Sequence, residues 1–216
     1  ASLAVAPPRP GPPVRFTHQG DADQAYAIIG WSTFGGVDRI AERRALSLAA
    51  NMIQVRLFER LRGMEGATYS PRASSSTSES FPNFGIFYAA AELRPDRTDL
   101  FFRLAREIVA DLAARPPEAD EYARAINPVL TGIERRVRTN GYWLSAMEGW
   151  SRRPELIDQT RSYLADYQKM TPRDVQAAVA AHVADAPDWS LLVLPGAREG
   201  AVPAAPAAPA APAGGR

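Results

Sequence analysis

Residues 25–34 read AYAIIGWSTF, and residues 39–62 read RIAERRALSLAANMIQVRLFERLR, with Gly35-Gly36 between them. The first run is rich in β-branched and aromatic residues, the composition of a strand. In the second, Leu46, Ala49, Ile53, Leu57 and Leu61 recur at steps of three and four, which places them along one face of a helix. Gly63 and Gly66 end that helix. Working outward, two more strands follow, over Thr68–Glu79 and Gly85–Leu93, with Pro82-Asn83 marking the turn between them. From Asp96 the pattern is helical. Leu100, Leu104, Ile108 and Leu112 set one helix over Asp99–Ala114, and Pro116-Pro117 close it. The next carries Ile126, Leu130, Ile133 and Val137, with Pro128 near its start as a kink. Helical character continues past Gly141 toward Trp150, and a further helix covers Glu155–Tyr167. Thr171, Pro172 and Asp174 stand as N-cap, first helical residue and acidic third residue of a last helix. Asp188–Leu194 (DWSLLVL) is the closing strand. Hairpin strands and segregated helices predict an α+β fold with a mostly antiparallel sheet and several helices packed on one face.

Both ends differ in composition from this body. Residues 1–13 are Pro-rich and read as a linker, residues 14–196 as the folded domain, and residues 197–216 as an Ala/Pro-rich disordered tail. An opening at Ala1 without an initiator Met suggests a piece of a longer protein, and the tail has the look of a natural C-terminus.

Composition narrows the function. The chain is 46% hydrophobic, and 25 basic against 24 acidic residues leave a net charge of +1. That balance argues against a nucleic-acid or anionic-membrane partner, and no apolar run is long enough for a membrane span. Without cysteine there is no thiolate ligand or nucleophile. The two histidines, His18 and His182, have no carboxylate or second histidine at the ligand spacing of a hydrolytic zinc site, and HxxEH and its inverted form are absent. Both read as surface or helix-end residues. Ser74, Ser75, Ser76, Thr77 and Ser78 have no GxSxG elbow around them and read as a polar strand face. Gly35-Gly36 lacks the Lys or third Gly of a phosphate loop and reads as a turn. Arg135, Arg136 and Arg138 read as a solvated helix face.

One segment carries a more specific message. Leu57-Phe-Glu-Arg-Leu-Arg62-Gly-Met-Glu-Gly-Ala-Thr-Tyr69-Ser70 resembles the LF..LRE..GLAYS signature of the pitrilysin/insulinase family of zinc metallopeptidases, also the fold of the mitochondrial processing peptidase. Asn140-Gly-Tyr-Trp-Leu, Arg152-Arg-Pro-Glu-Leu and Met170-Thr-Pro-Arg-Asp-Val are similar to the end of such a domain, and the resemblance spans roughly residues 14–195. It implies the non-catalytic half of a two-half peptidase, because the helix over residues 39–62 carries no histidine. The zinc is then expected in a partner half bearing HxxEH, in the same polypeptide or a separate subunit, with no metal in this chain. The resemblance gives Arg62 and Tyr69, seven residues apart, the role of gripping substrate and supporting the oxyanion from across the cavity. The substrate would be a peptide or unfolded protein, held extended as an added strand on the sheet edge. The chain alone would be inactive. The expected compartment is the periplasm, with the cytoplasm as the alternative. The competing function is a structural or protein-interaction domain of the same fold with no role in proteolysis.

Overall fold

A computed structural model describes residues 5–62, 70–150 and 153–196. Five strands make one sheet: β1 (Val14–His18), β2 (Ala25–Thr33), β3 (Arg72–Thr77), β4 (Gly85–Leu93) and β5 (Asp188–Pro195), in the order β1-β5-β2-β4-β3. Among the described residues, six α-helices accompany it: α1 (Ile40–Arg62), α2 (Thr98–Ala114), α3 (Ala119–Arg136), α4 (Asn140–Glu148), α5 (Glu155–Lys169) and α6 (Pro172–Val179), the last continued by a π-helical stretch at Ala180–Ala184. The sheet is antiparallel except at β1, which runs parallel to β5 with Val14 opposite Leu191 and Phe16 opposite Val193. The α+β fold anticipated from the sequence is therefore present.

Strand alternation sorts the sheet's two faces. Ala27, Ile29 and Trp31 of β2 and Phe87, Ala89 and Ala91 of β4 point inward and are buried. Against them lie Leu46, Ile53, Leu57 and Leu61 of α1, Phe101, Ile108 and Leu112 of α2, and Val175 and Val179 of α6. On the opposite face the register aligns Phe16, Val193 and Tyr26 in one row, and Phe16 and Tyr26 remain exposed.

Three local details differ from the sequence expectations. The strand expected over Thr68–Glu79 is the shorter β3, and residues 68 and 69 lie outside the described residues. Pro128 sits in the interior of α3 rather than near its start, and the helix runs through it. Its ring faces solvent, where water can satisfy the carbonyl that loses its amide partner. β1 was not anticipated, since a five-residue strand next to a Pro-rich run has almost no pattern of its own. The start of α6 follows its residues: the Thr171 side chain accepts from the Asp174 amide, and the Asp174 carboxylate accepts from the Thr171 amide at 2.7 Å.

Candidate functional site

Arg62 is the last residue of α1 and is exposed. Its guanidinium lies over the Phe58 ring, 5.7 Å from the centroid, one helical turn back. Among the described residues it makes no ion pair. Tyr69 lies outside the described residues. The geometry on either side is fixed: α1 packs along β3, and the Gln54 side chain accepts from the Ala73 amide at 3.1 Å, tying the second half of the helix to the start of the strand.

Two cations beside this end of α1 have partners: Arg60, with Glu107 at 3.3 Å, and the more buried Arg56. Arg56 donates to both oxygens of Glu121, at 2.6 and 2.8 Å, and to Asp111 at 2.8 Å. The hydrogen bond to Glu121 is the largest cause holding its pKa above the ordinary guanidinium value, and burial opposes it. These residues wall a groove of about 870 Å³ between α1 and α3. Arg56, Glu121 and Asp111 satisfy one another, so this network braces three helices.

The other candidates separate. His18 accepts from the Gly20 amide at Nδ1 (3.0 Å), which leaves Nε2 to donate to the Gln24 carbonyl at 2.8 Å; the ring is a clip for its own turn. His182 meets the Phe34 ring edge-on, centroids 4.6 Å apart, with Arg39 on the same ring. Burial, then Arg39, lowers its pKa, with Glu42 pulling the other way. The histidines sit on different elements, and among the described residues no three His, Cys, Asp or Glu come together as a metal site. The donor set does not fit a hydrolytic zinc. Ser78 holds a turn, its hydroxyl accepting from the Ser80 and Phe81 amides. The Gly35 and Gly36 amides donate to the Pro82 and Ser78 carbonyls, at 2.8 and 2.6 Å, and so have nothing left for a phosphate. Gly35 is required by crowding, since a Cβ there would meet the Phe81 carbonyl oxygen at 2.0 Å, and Gly36 by its φ of 88°.

A second concavity, of about 690 Å³, opens between α1, β3 and the α4–α5 pair. Arg43, Arg136, Tyr142 and Tyr163 line it. Of these, the sequence points to Arg136, as part of a solvated basic run, and to Tyr142, within the Asn140-Gly-Tyr-Trp-Leu segment. Arg43 and Tyr163 gave no local signal, because they meet only through the packing of α1 on α5.

Residues 2–129 match the family model of the peptidase M16 inactive domain, more than half of the chain. No curated protein sequence matches the chain. Solved structures share the fold. The periplasmic protease PqqL from Escherichia coli aligns with a TM-score of 0.70 at 16% identity, over 85% of this chain and 20% of that one. The peptidase M16 inactive domain from Pseudomonas fluorescens aligns at 0.67 and 16% identity, over 89% of this chain and 46% of that one. The ferredoxin protease FusC, solved in complex with Arabidopsis ferredoxin, aligns at 0.65 and 15% identity, over 84% and 20%. The chain thus spans less than half the length of each of these proteins. With the fold in place, the matched model assigns the chain to the peptidase M16 inactive-domain family, the non-catalytic branch of the pitrilysin/insulinase peptidases.

Proposed function

We propose that this chain is the substrate-gripping, non-catalytic domain of a zinc metalloendopeptidase that cleaves peptides or unfolded proteins, and that it completes the active site of a separate zinc-bearing half. The observation that carries the reading is Arg62, exposed at the end of α1 with its guanidinium over the Phe58 ring. In metal-assisted hydrolysis, negative charge develops on the scissile carbonyl oxygen, and zinc in the partner half supplies the Lewis acid. The phenol of Tyr69 donates a hydrogen bond to that oxygen, and the guanidinium of Arg62 holds a neighbouring backbone carbonyl. Donors delivered from a second half also exclude water when the halves close. The substrate is a polypeptide, as for the ferredoxin protease among the structural neighbours. The proposed compartment is the periplasm, as for PqqL, and fractionation of cells producing the parent protein checks it.

The test is peptide hydrolysis by the parent protein or by reconstituted halves. Tyr69→Phe and Arg62→Ala are each expected to lower turnover by about 10²–10³, with unchanged circular dichroism. Wild-type turnover in both variants would instead make the domain a scaffold of the same fold.

A further inference from the structure

The concavity between α1, β3 and the α4–α5 pair has the chemistry of a carboxylate site. Arg44, at its base, is committed: it pairs with Asp166 and donates to the Gln159 carbonyl. Arg43 and Arg136 are not. Arg43 donates to the Gln159 side chain at 2.7 Å, and among the described residues neither guanidinium has a carboxylate within ion-pair distance. Glu79 is held by Arg153 at 2.7 Å, and Glu148 stands exposed at the rim. Tyr142 and Tyr163 add phenol groups to the same space. Burial, then Tyr163, raises the pKa of Tyr142, so its hydroxyl stays a donor.

One wall of the concavity is an open sheet edge. β3 is the terminal strand of the sheet, paired with β4 alone. The Ala73 amide points away from β4, since Gln54 takes it up, whereas the Ser78 amide points toward β4, donating to the Phe84 carbonyl at 2.9 Å. The two-residue period of an antiparallel ladder then turns the amides of Ser75 and Thr77 outward with that of Ala73. Both residues also line the concavity with their side chains, and the Ser75 Oγ is buried without a hydrogen-bond partner. A buried, unpartnered hydroxyl beside unpaired backbone donors marks a place built for a further polar group.

We propose that this concavity is a subsite in which an extended polypeptide adds along β3 and has a carboxylate clamped between Arg43 and Arg136. The inference rests on the reading that the domain grips polypeptide, and it adds a preference for acidic sequence at a fixed distance from the reacting bond. Arg43 and Arg62 are nineteen residues apart on one helix, roughly 28 Å along its axis. An extended chain covers that distance in about eight or nine residues.

Three fluorescein-labelled hexapeptides, titrated into the full chain and followed by anisotropy, test it. One has a central Glu and an amidated C-terminus, one is neutral with a free C-terminal carboxylate, and one is neutral and amidated. At least one carboxylate-bearing peptide is expected to bind about tenfold more tightly than the neutral one, and which of them does so separates a side-chain carboxylate from a chain terminus. Arg136→Ala, at an exposed position that leaves folding intact, is expected to erase the difference. Thr77→Pro removes one outward amide at a tolerated edge position and is expected to weaken all three peptides together. Equal affinities for all three, no binding of any, or an unchanged preference in Arg136→Ala would overturn the proposal. Normal loss of hydrolysis in Arg62→Ala and Tyr69→Phe with no acidic preference would remove this subsite alone. Acidic preference without any effect of Arg62 or Tyr69 on hydrolysis would remove the gripping reading and leave a peptide-binding cleft.

Discussion

The helices on the sheet and the helices outside them are joined by different chemistry. α1 and α2 bury Leu46, Leu48, Ile53, Leu57, Phe101, Ile108 and Leu112 completely. Of the outer three, α3 buries Ile126 and Ile133, α5 buries Gln159 and Tyr167, and α4 buries nothing. Besides these few side chains, polar contacts fasten the outer layer: Arg44 to Asp166, Arg43 to Gln159, Arg56 to Glu121, and the Tyr122 hydroxyl to the Met170 carbonyl. An apolar joint closes until water is excluded. A joint made of long charged side chains holds two helices together at points and leaves space between those points. That is why both large concavities border the outer layer.

The largest effect expected from this contrast is in the inner layer. Phe101→Ala removes a fully buried ring between the sheet and α2 and should cost about 3–5 kcal/mol in urea unfolding. Leu144→Ala on α4, where the side chain is 68% exposed, should stay within about 0.5 kcal/mol. Comparable losses at the two positions would mean that α4 packs as a core helix, and the comparison would fail.

An intermediate effect is expected where a polar joint carries the load. Arg56→Ala takes three charge-assisted hydrogen bonds from α1 and should cost about 1.5–3 kcal/mol. Hydrogen exchange sharpens the point. Protection should fall in α3 more than in α2, because α2 retains its apolar contacts with the sheet.

Tyr167 is the one large side chain of α5 that enters the core. Burial first, then Tyr163, pushes its pKa up to about 12, against Arg44, Arg136 and Arg43. An unfolded phenol ionises near 10. The contribution is therefore fully present below about pH 10 and is lost as pH rises toward 12, on the order of 2–3 kcal/mol. Urea midpoints measured across that window should slope downward in the wild type and more gently in Tyr167→Phe. Equal slopes would show that the outer layer has already separated before the phenol ionises.

A smaller effect tests a feature visible in the sequence. Thr171→Ala breaks the reciprocal cap of α6 and should cost about 1 kcal/mol. That cap, α1, β2 and β4 could all be read from the residues because each is specified within a few positions by period, composition or capping chemistry. β1 could not, since its partner β5 lies at the other end of the chain and the parallel pairing leaves no local trace. The candidate site divides in the same way. The sequence offers Arg62 and Tyr69 through one contiguous motif, of which Tyr69 lies outside the described residues, whereas the proposed Arg43–Arg136 pair depends on α1 meeting α3, α4 and α5 across long separations. Arg136 on its own is indistinguishable from any surface arginine. Sequence period reports which face of a helix is apolar, and it is silent about which polar groups two helices will hold apart.

The smallest expected effect lies at the boundary between the layers, at His182. Its ring sits edge-on to Phe34 while Arg39 covers the same phenyl group. Burial and then Arg39 favour the neutral imidazole, so the folded-state pKa is below the ordinary value. Stability from this group is present above the ordinary histidine pKa of about 6.5 and is lost as pH falls below it, because the unfolded chain takes up the proton first. His182→Gln keeps a neutral polar side chain and should flatten the decline in Tm between pH 7 and 5 without altering Tm at pH 8. A steeper decline in the variant would mean that the Glu42 carboxylate, not burial, governs the ring, and that the seam beneath α6 belongs with the polar joints of the outer layer instead of with the core.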